Sequence, residues 1–286
     1  MIKKAIIPVA GLASRFLPAS KVIPKTMFPI IDKPIIQFLV EEAVEAGIEE
    51  IAIILSPRQD IVKNHFKEDE FLEQELRSRG KTLEAETVHS TTHLAKIHFF
   101  TQEHPLGDGH ALLQAESFLD ENEACLVLFG DELIGTSHER NASAQLIKYY
   151  NDVQTPIIGV HEVSEEEVHR YGIVGLNEET EINSLVEKPS PGDAPSNLAI
   201  IGKYIINSEV LRCIKESSSG TTDKELRLID GLKTYLESKN IHALTLDGQR
   251  FDTGNKLGLI KANIYFGLKD KDITDSLKNF LRTVEK

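Results

Sequence analysis

The chain has 286 residues, of which 41% are hydrophobic, enough for one large α/β domain or two small ones with a substantial core. Its formal net charge of −13 argues against a general nucleic-acid or anionic-membrane surface, and no apolar run approaches the ~18 residues that a membrane span needs. The opening Met-Ile-Lys-Lys leads straight into an apolar run, without the apolar region and cleavage site of a signal peptide, so the expected compartment is the cytoplasm.

Residues 5–9 are a strand pattern, followed by a long loop punctuated by Gly11, Pro18, Pro24 and Pro29. A helix is predicted from Pro34, a favoured first-turn residue, to Gly47, a C-cap signal. Residues 51–55 read as a second buried strand, and 59–80 as charged and helical. Residues 97–100 and 125–129 read as further strands, each followed by a turn and a helix pattern. Cys125 lies in the second of these and reads as a small buried hydrophobe; with Cys213 it makes no disulfide framework and no metal spacing. Strand and helix alternating through the first half predict βαβ crossovers and a mostly parallel sheet with helices on both faces. From about residue 157 the texture changes. Short strands at 157–163, 173–176 and 182–187 read as an antiparallel excursion from the same sheet, which makes it mixed. Helices at 208–215 and 224–238, a strand at 241–246 and two last helices close the chain. No internal repeat or low-complexity linker interrupts it, so one compact domain over 1–286 is expected.

Charge is uneven along this chain. Up to residue 34 there are six basic residues (Lys3, Lys4, Arg15, Lys21, Lys25, Lys33) and one acid, Asp32. A charge run is most often a solvated face, but this one follows the carboxyl end of the first strand, where open α/β sheets bind ligands. Ala10 and Gly11 begin the turn. Glycine lets backbone approach a ligand closely, and turn N–H groups can face phosphate oxygens. Arg15 offers a bidentate fork and Lys25 a flexible point charge. Neither the dinucleotide fingerprint nor the P-loop pattern is present. Gly11 alone is equally an ordinary strand-to-helix turn.

The whole stretch says more. PVAGLASRFLP at 8–18, SK at 20–21, IPK at 23–25 and PIIDKP at 29–34 resemble the signature of the UTP–glucose-1-phosphate uridylyltransferases, a group within the sugar-nucleotidyltransferase family. The resemblance continues over nearly the entire chain, through EEAVEAGI at 41–48, Gln102, PLGDGHA at 105–111, Gly130-Asp131, RYGIV at 170–174, VEKP at 186–189, APSNLAI at 194–200 and FDTG at 251–254. It implies a Rossmann-like nucleotide-diphospho-sugar transferase fold, with 1–156 mainly the nucleotide-binding half and 157–286 mainly the sugar-binding half. It further implies formation of UDP-glucose and pyrophosphate from UTP and glucose 1-phosphate, a Mg²⁺ cofactor, and a homo-oligomer, dimer or tetramer, in which the charged helical stretch 59–96 is a subunit contact.

Carried over residue by residue, the resemblance implies that the loop at Ala10 and Gly11 wraps the triphosphate while Arg15 and Lys25 meet its phosphates. Gln102 reads the uracil edge, helped by the backbone at Gly107; an amide has both the donor and the acceptor this needs. Asp131 binds Mg²⁺, although a carboxylate after a strand is commonly a helix N-cap. Asp252 is a second metal candidate, equally readable as the cap of the helix near Lys256. Glu187 holds sugar hydroxyls and Lys188 the sugar phosphate, and Gly172 and Asn197 line the same site. Adjacent strand residues face opposite ways, so Pro189 is expected to break the strand and let Glu187 and Lys188 reach one ligand; otherwise they are an exposed ion pair of little energetic weight.

The sequence departs from the family pattern at several positions. Ala13 replaces the second glycine of the first loop, Thr26 a usual Glu, Asp108 an apolar residue and Glu132 the second Asp of Gly-Asp-Asp; KELRLID at 224–230 is a drifted motif. These leave open a related transferase using dTTP or another sugar phosphate, and a regulatory paralogue that binds an active enzyme. A nicotinamide oxidoreductase fits the strand–helix rhythm but lacks the fingerprint.

Overall fold

The computed structural model describes residues 1–136, 140–177, 179–217 and 225–284. The first half holds β1 (Lys4–Pro8), β2 (Pro29–Ile30), β3 (Lys33–Pro34), α1 (Ile35–Glu45), β4 (Glu50–Leu55), α2 (Asp60–His65), α3 (Glu70–Ser78), α4 (Thr82–Thr92) and β5 (Lys96–Thr101). There follow α5 (Asp108–Gln114), β6 (Ala124–Leu128), β7 (Glu132–Gly135), α6 (Ala142–Val153), β8 (Ile157–Glu162), β9 (Gly172–Leu176) and β10 (Ile182–Glu187). The chain ends with β11 (Leu198–Asn207), α7 (Ser208–Ser217), α8 (Leu228–Leu236), β12 (His242–Thr245), β13 (Gln249–Asp252), α9 (Lys256–Gly267) and α10 (Thr274–Val284).

A nine-stranded sheet runs β10-β9-β11-β6-β1-β4-β5, with β8 paired to β11 and β12 paired to β8. β6, β1, β4 and β5 are parallel, as are β8 and β12, whereas β11 is antiparallel to β6, β8 and β9. The sheet is therefore mixed, and the antiparallel part belongs to it. Side chains alternate along a strand, and β1 divides accordingly: Ala5 and Ile7 join the core with α1 and α6, while Ile6 joins the core with α5, α7 and α8. Both faces are covered, which is why the inner strands read as continuous apolar runs. Cys125 is fully buried and its thiol pKa is raised by that burial, as expected of a packing residue. Among the described residues no helix is long and apolar enough to cross a membrane.

Several elements differ from the sequence reading. β11 was not expected, because Gly202 and Lys203 interrupt its apolar run; Lys203 is nevertheless fully buried. The run 125–129 does not lead directly to a helix: β7 intervenes and pairs with β13 in a separate two-stranded ribbon. Pro34 precedes the first helical residue of α1 instead of starting it, while Gly47 follows the helix with φ 94° as a C-terminal stop requires. The helical stretch 59–80 is divided into α2 and α3. The helix expected over 224–238 begins only at Leu228. Leu226 is held extended by bonds from its N–H to Leu106 O (2.8 Å) and from Gly109 N to its carbonyl (2.9 Å). Lys224 lies outside the described residues.

Candidate functional site

Two adjoining cavities open beyond the carboxyl ends of β1 and β6, the expected ligand position in an open α/β sheet. The first, about 410 Å³, is lined by Ala10, Gly11, Lys25, Thr26, Gln102 and Gly107 among others. The second, about 300 Å³, is lined by Arg15, Arg170, Gly172, Glu187, Lys188 and Asp252 among others. Asp108, Phe129 and Asp131 line both.

The loop after β1 shapes the first cavity. A Cβ on Gly11 would meet nothing within 4 Å, so no packing contact within the protein requires glycine at this position. Ala13 adopts the left-handed φ 50° ψ 40°, a conformation that glycine takes more readily. Its carbonyl accepts from Phe16 N at 3.0 Å and from Ser20 Oγ at 2.8 Å, which fixes the loop. Arg15 is exposed and faces the second cavity instead of the first. Lys25 opens a single 3₁₀ turn, and its Nζ lies 2.7 Å from Asp131 Oδ2. Thr26 beside it is 2% exposed, and its hydroxyl has no hydrogen-bond partner.

On the opposite wall Gln102 is buried, and its Nε2 donates to Gly107 O (3.0 Å) and His110 Nδ1 (2.9 Å). Burial lowers the His110 pKa below the ordinary imidazole value, so the ring is neutral at pH 7 and Nδ1 accepts. With its N–H groups engaged, Gln102 offers Oε1 to a ligand. Gly107 has φ 103°, and a Cβ there would lie 2.3 Å from Leu226 O. That contact draws residues 225–229 to the site. Asp108 accepts from Leu228 N at 2.8 Å, and desolvation raises its carboxyl pKa despite that bond.

In the second cavity Lys188 takes φ 47°, and its N–H donates to Tyr171 O at 2.9 Å. The left-handed turn at Lys188 itself, ahead of Pro189, brings it to the same cavity as Glu187. The two are also an ion pair, with Nζ 3.0 Å from Glu187 Oε1. Gly172 leaves room for the carboxylate: its Cβ would sit 3.1 Å from Glu187 Oε2. Asn197 is not among the residues lining either cavity; its carbonyl accepts from Val163 N at 3.0 Å.

Asp131 and Asp252 come together through the β7–β13 ribbon, whose register sets Glu132 opposite Asp252. Thr253 donates to Asp131 O from both its N–H (2.8 Å) and its hydroxyl (2.9 Å). A Cβ on Gly254 would lie 2.6 Å from Asp131 Oδ2 and 2.9 Å from Asp252 Oδ1, so two carboxylate oxygens border one small space. Neither acid is a helix cap. Asn141 caps α6 and Asn255 caps α9, while Asp252 Oδ1 accepts from Gly254 N at 2.9 Å. Among the described residues no group of three or more His, Cys, Asp or Glu side chains is gathered as a metal site. Two carboxylates suit a cation such as Mg²⁺, which takes its remaining ligands from phosphate and water. Glu132 is buried; burial raises its carboxyl above the ordinary carboxylate range, and the two-pronged contact with Arg250 opposes that rise and favours the ionised pair.

The sequence reading missed Tyr171, Tyr204, Glu225, Arg227 and Ile229 as lining residues. Tyr171 sat within a quoted motif, and 225–229 within a drifted one; for Tyr204, inside an unrecognised strand, no local signal was available.

The nucleotidyl transferase family profile matches residues 4–266. A UTP–glucose-1-phosphate uridylyltransferase from Bacillus subtilis (strain 168) is 41% identical over 284 residues, 98% of this chain and 96% of that protein. A solved UTP-bound UGPase from Acinetobacter baumannii superposes with a TM-score of 0.91 at 34% identity, covering 98% of this chain and 99% of that one. A UDP-glucose pyrophosphorylase complexed with UDP-glucose gives 0.83 at 35% identity, covering 94% and 100%.

Proposed function

Because the chain belongs to the nucleotidyl transferase family, we propose that it joins UTP to glucose 1-phosphate, forming UDP-glucose and releasing pyrophosphate. The observation that carries this reading is the pair of cavities meeting at Asp131, one bordered by Lys25 and the other by Lys188. That arrangement suits two phosphate-bearing substrates brought end to end. We read 1–286 as one domain whose halves share the work: Glu225 reaches the first cavity, and Arg15 and Asp108 reach the second.

The reaction needs no protein nucleophile. A phosphate oxygen of glucose 1-phosphate attacks the α-phosphorus of UTP in line, the bond to the β-phosphate breaks, and pyrophosphate leaves with the electron pair. The protein holds two polyanions in register and neutralises charge. Two unit charges 4 Å apart repel by about 1 kcal/mol in water and about 4 kcal/mol at an effective dielectric constant of 20. Lys25 and the loop at Ala10 and Gly11 act on the nucleotide phosphates. Arg15, from its position at the second cavity, acts with Lys188 at the sugar phosphate. Gln102 Oε1 accepts from the base, and Glu187 accepts from sugar hydroxyls. Asp131 and Asp252 would hold Mg²⁺, which supplies positive charge to the phosphates. Lys25 Nζ is paired with Asp131 Oδ2, and giving up that pairing would free its ammonium for a phosphate oxygen.

Pyrophosphate release from a panel of nucleoside triphosphates crossed with sugar 1-phosphates tests the reading. Turnover is expected to be fastest with UTP and glucose 1-phosphate, to require a divalent cation and to vanish in Asp131→Asn. Faster turnover with dTTP or another sugar phosphate would overturn the substrate assignment; full activity of Asp131→Asn would remove that residue from the mechanism.

A further inference from the structure

Glu132 follows Asp131 directly, and the chemistry above assigns it nothing. It is 9% exposed, and Arg250 grips both of its oxygens, Nε to Oε2 at 2.8 Å and a terminal nitrogen to Oε1 at 2.6 Å. The Arg250 guanidinium lies 4.7 Å from the centroid of the Tyr171 ring, so the fork is stacked as well as paired. A buried ion pair is close to neutral for stability once desolvation is counted, and holding a fixed geometry is one reason to keep such a pair.

The ribbon explains what needs holding. Glu132 pairs directly with Asp252, and like charges directly opposite are unfavourable. Arg250 pairs with Ile134, two positions along, so it shares a face of the ribbon with Glu132 and Asp252. Its fork neutralises Glu132 and leaves Asp252 to face the cavity. Asp131, adjacent in sequence to Glu132, is tied to the other strand through Thr253. A two-stranded ribbon is marginal by itself, so its register depends on such locks.

The geometry points to the Glu132–Arg250 pair as a positioning clamp: it sets the spacing of Asp131 and Asp252 for a divalent cation and, through Tyr171, couples that spacing to the sugar-side cavity. The inference rests on the proposed pyrophosphorylase reading. Glu132 also lines the second cavity, but with both its oxygens held by Arg250 it acts, with Arg250, through the two aspartates and through Tyr171.

The test measures Mn²⁺ binding by electron paramagnetic resonance in the presence of α,β-methylene-UTP, alongside the thermal midpoint and the KM for glucose 1-phosphate. Glu132→Gln is expected to weaken Mn²⁺ binding about tenfold, as loss of a group supporting metal ligands typically does, to raise that KM several-fold and to leave the analogue's metal-free affinity unchanged. Glu132→Asp, which keeps the charge, is expected to recover most of the Mn²⁺ affinity. The double variant Glu132→Leu/Arg250→Met removes both charges from the core; it is expected to keep the wild-type midpoint and still bind Mn²⁺ weakly, which separates positioning from folding. Wild-type Mn²⁺ affinity in Glu132→Gln and in the double variant would overturn the clamp alone, as would a loss of affinity that tracks the midpoint in every variant. Failure of the wild-type protein to bind Mn²⁺ with the analogue would overturn the metal-assisted pyrophosphorylase reading of the site, and the clamp with it.

Discussion

Thr26 carries the sharpest residue-scale consequence. Its hydroxyl is buried without a partner at the wall of the first cavity, and its methyl is 3.0 Å from where a Cβ on Gly130 would lie. An unmade buried hydrogen bond costs about 1–3 kcal/mol, and an isosteric apolar group removes that cost. Thr26→Val is therefore expected to raise the thermal midpoint by about 2–4 °C and, since on the proposed reading the hydroxyl is left to meet the nucleoside in that cavity, to raise the KM for UTP without lowering kcat. An unchanged KM for UTP would show that the hydroxyl makes no contact there. At this scale the sequence was most legible where a residue's chemistry needs little context. Gln102, Lys25, Asp131, Glu187 and Lys188 each border at least one of the two cavities. Arg15 borders the second cavity instead of the first, and Asn197 borders neither, because which way a loop side chain turns depends on packing that a motif does not contain.

Among elements, β11 is the longest strand that local pattern concealed. Lys203, in its middle, reads as a solvent-facing residue, yet it is fully buried, and its ammonium meets both oxygens of Glu42 on α1 at 2.9 and 2.8 Å. Ser143 on α6 donates to the same carboxylate from its N–H (3.1 Å) and its hydroxyl (2.6 Å). Glu42 in turn belongs to a stretch, EEAVEAG, whose charges look like an exposed helix face. Three elements thus close on one buried ion pair. Removing one partner of such a pair leaves an uncompensated charge and costs about 3–5 kcal/mol. Glu42→Ala is expected to lose that much in urea unfolding, and Glu42→Leu/Lys203→Met to recover most of it; equal losses in both variants would mean that packing volume, and not charge, is what matters there.

For the molecule as a whole, the topology carries residues from both halves to one place. β9 and β10 lie at one end of the sheet beyond β11, and their connections bring Tyr171, Glu187 and Lys188 toward the mouth shared with the loop after β1. The two substrates therefore meet different walls. Glu187→Ala is expected to raise the KM for glucose 1-phosphate at least tenfold while changing that for UTP less than twofold, since on the proposed reading what it loses, the sugar-hydroxyl contacts and the ion pair to Lys188, lies on the sugar side. Equal effects on both substrates would place Glu187 at the nucleotide instead. The sequence by itself determined the strand–helix rhythm, the parallel half of the sheet, its antiparallel excursion and the chemical types gathered at the carboxyl ends of the strands. Those features are written in local periodicity and in short motifs. Only the tertiary structure decided that Glu132 is clamped by Arg250, that Lys203 is buried against Glu42, and that Gly107 admits residues 225–229 to the site. Each of these contacts joins residues more than a hundred positions apart, and which distant residues meet is settled by strand order and register, which no local pattern encodes.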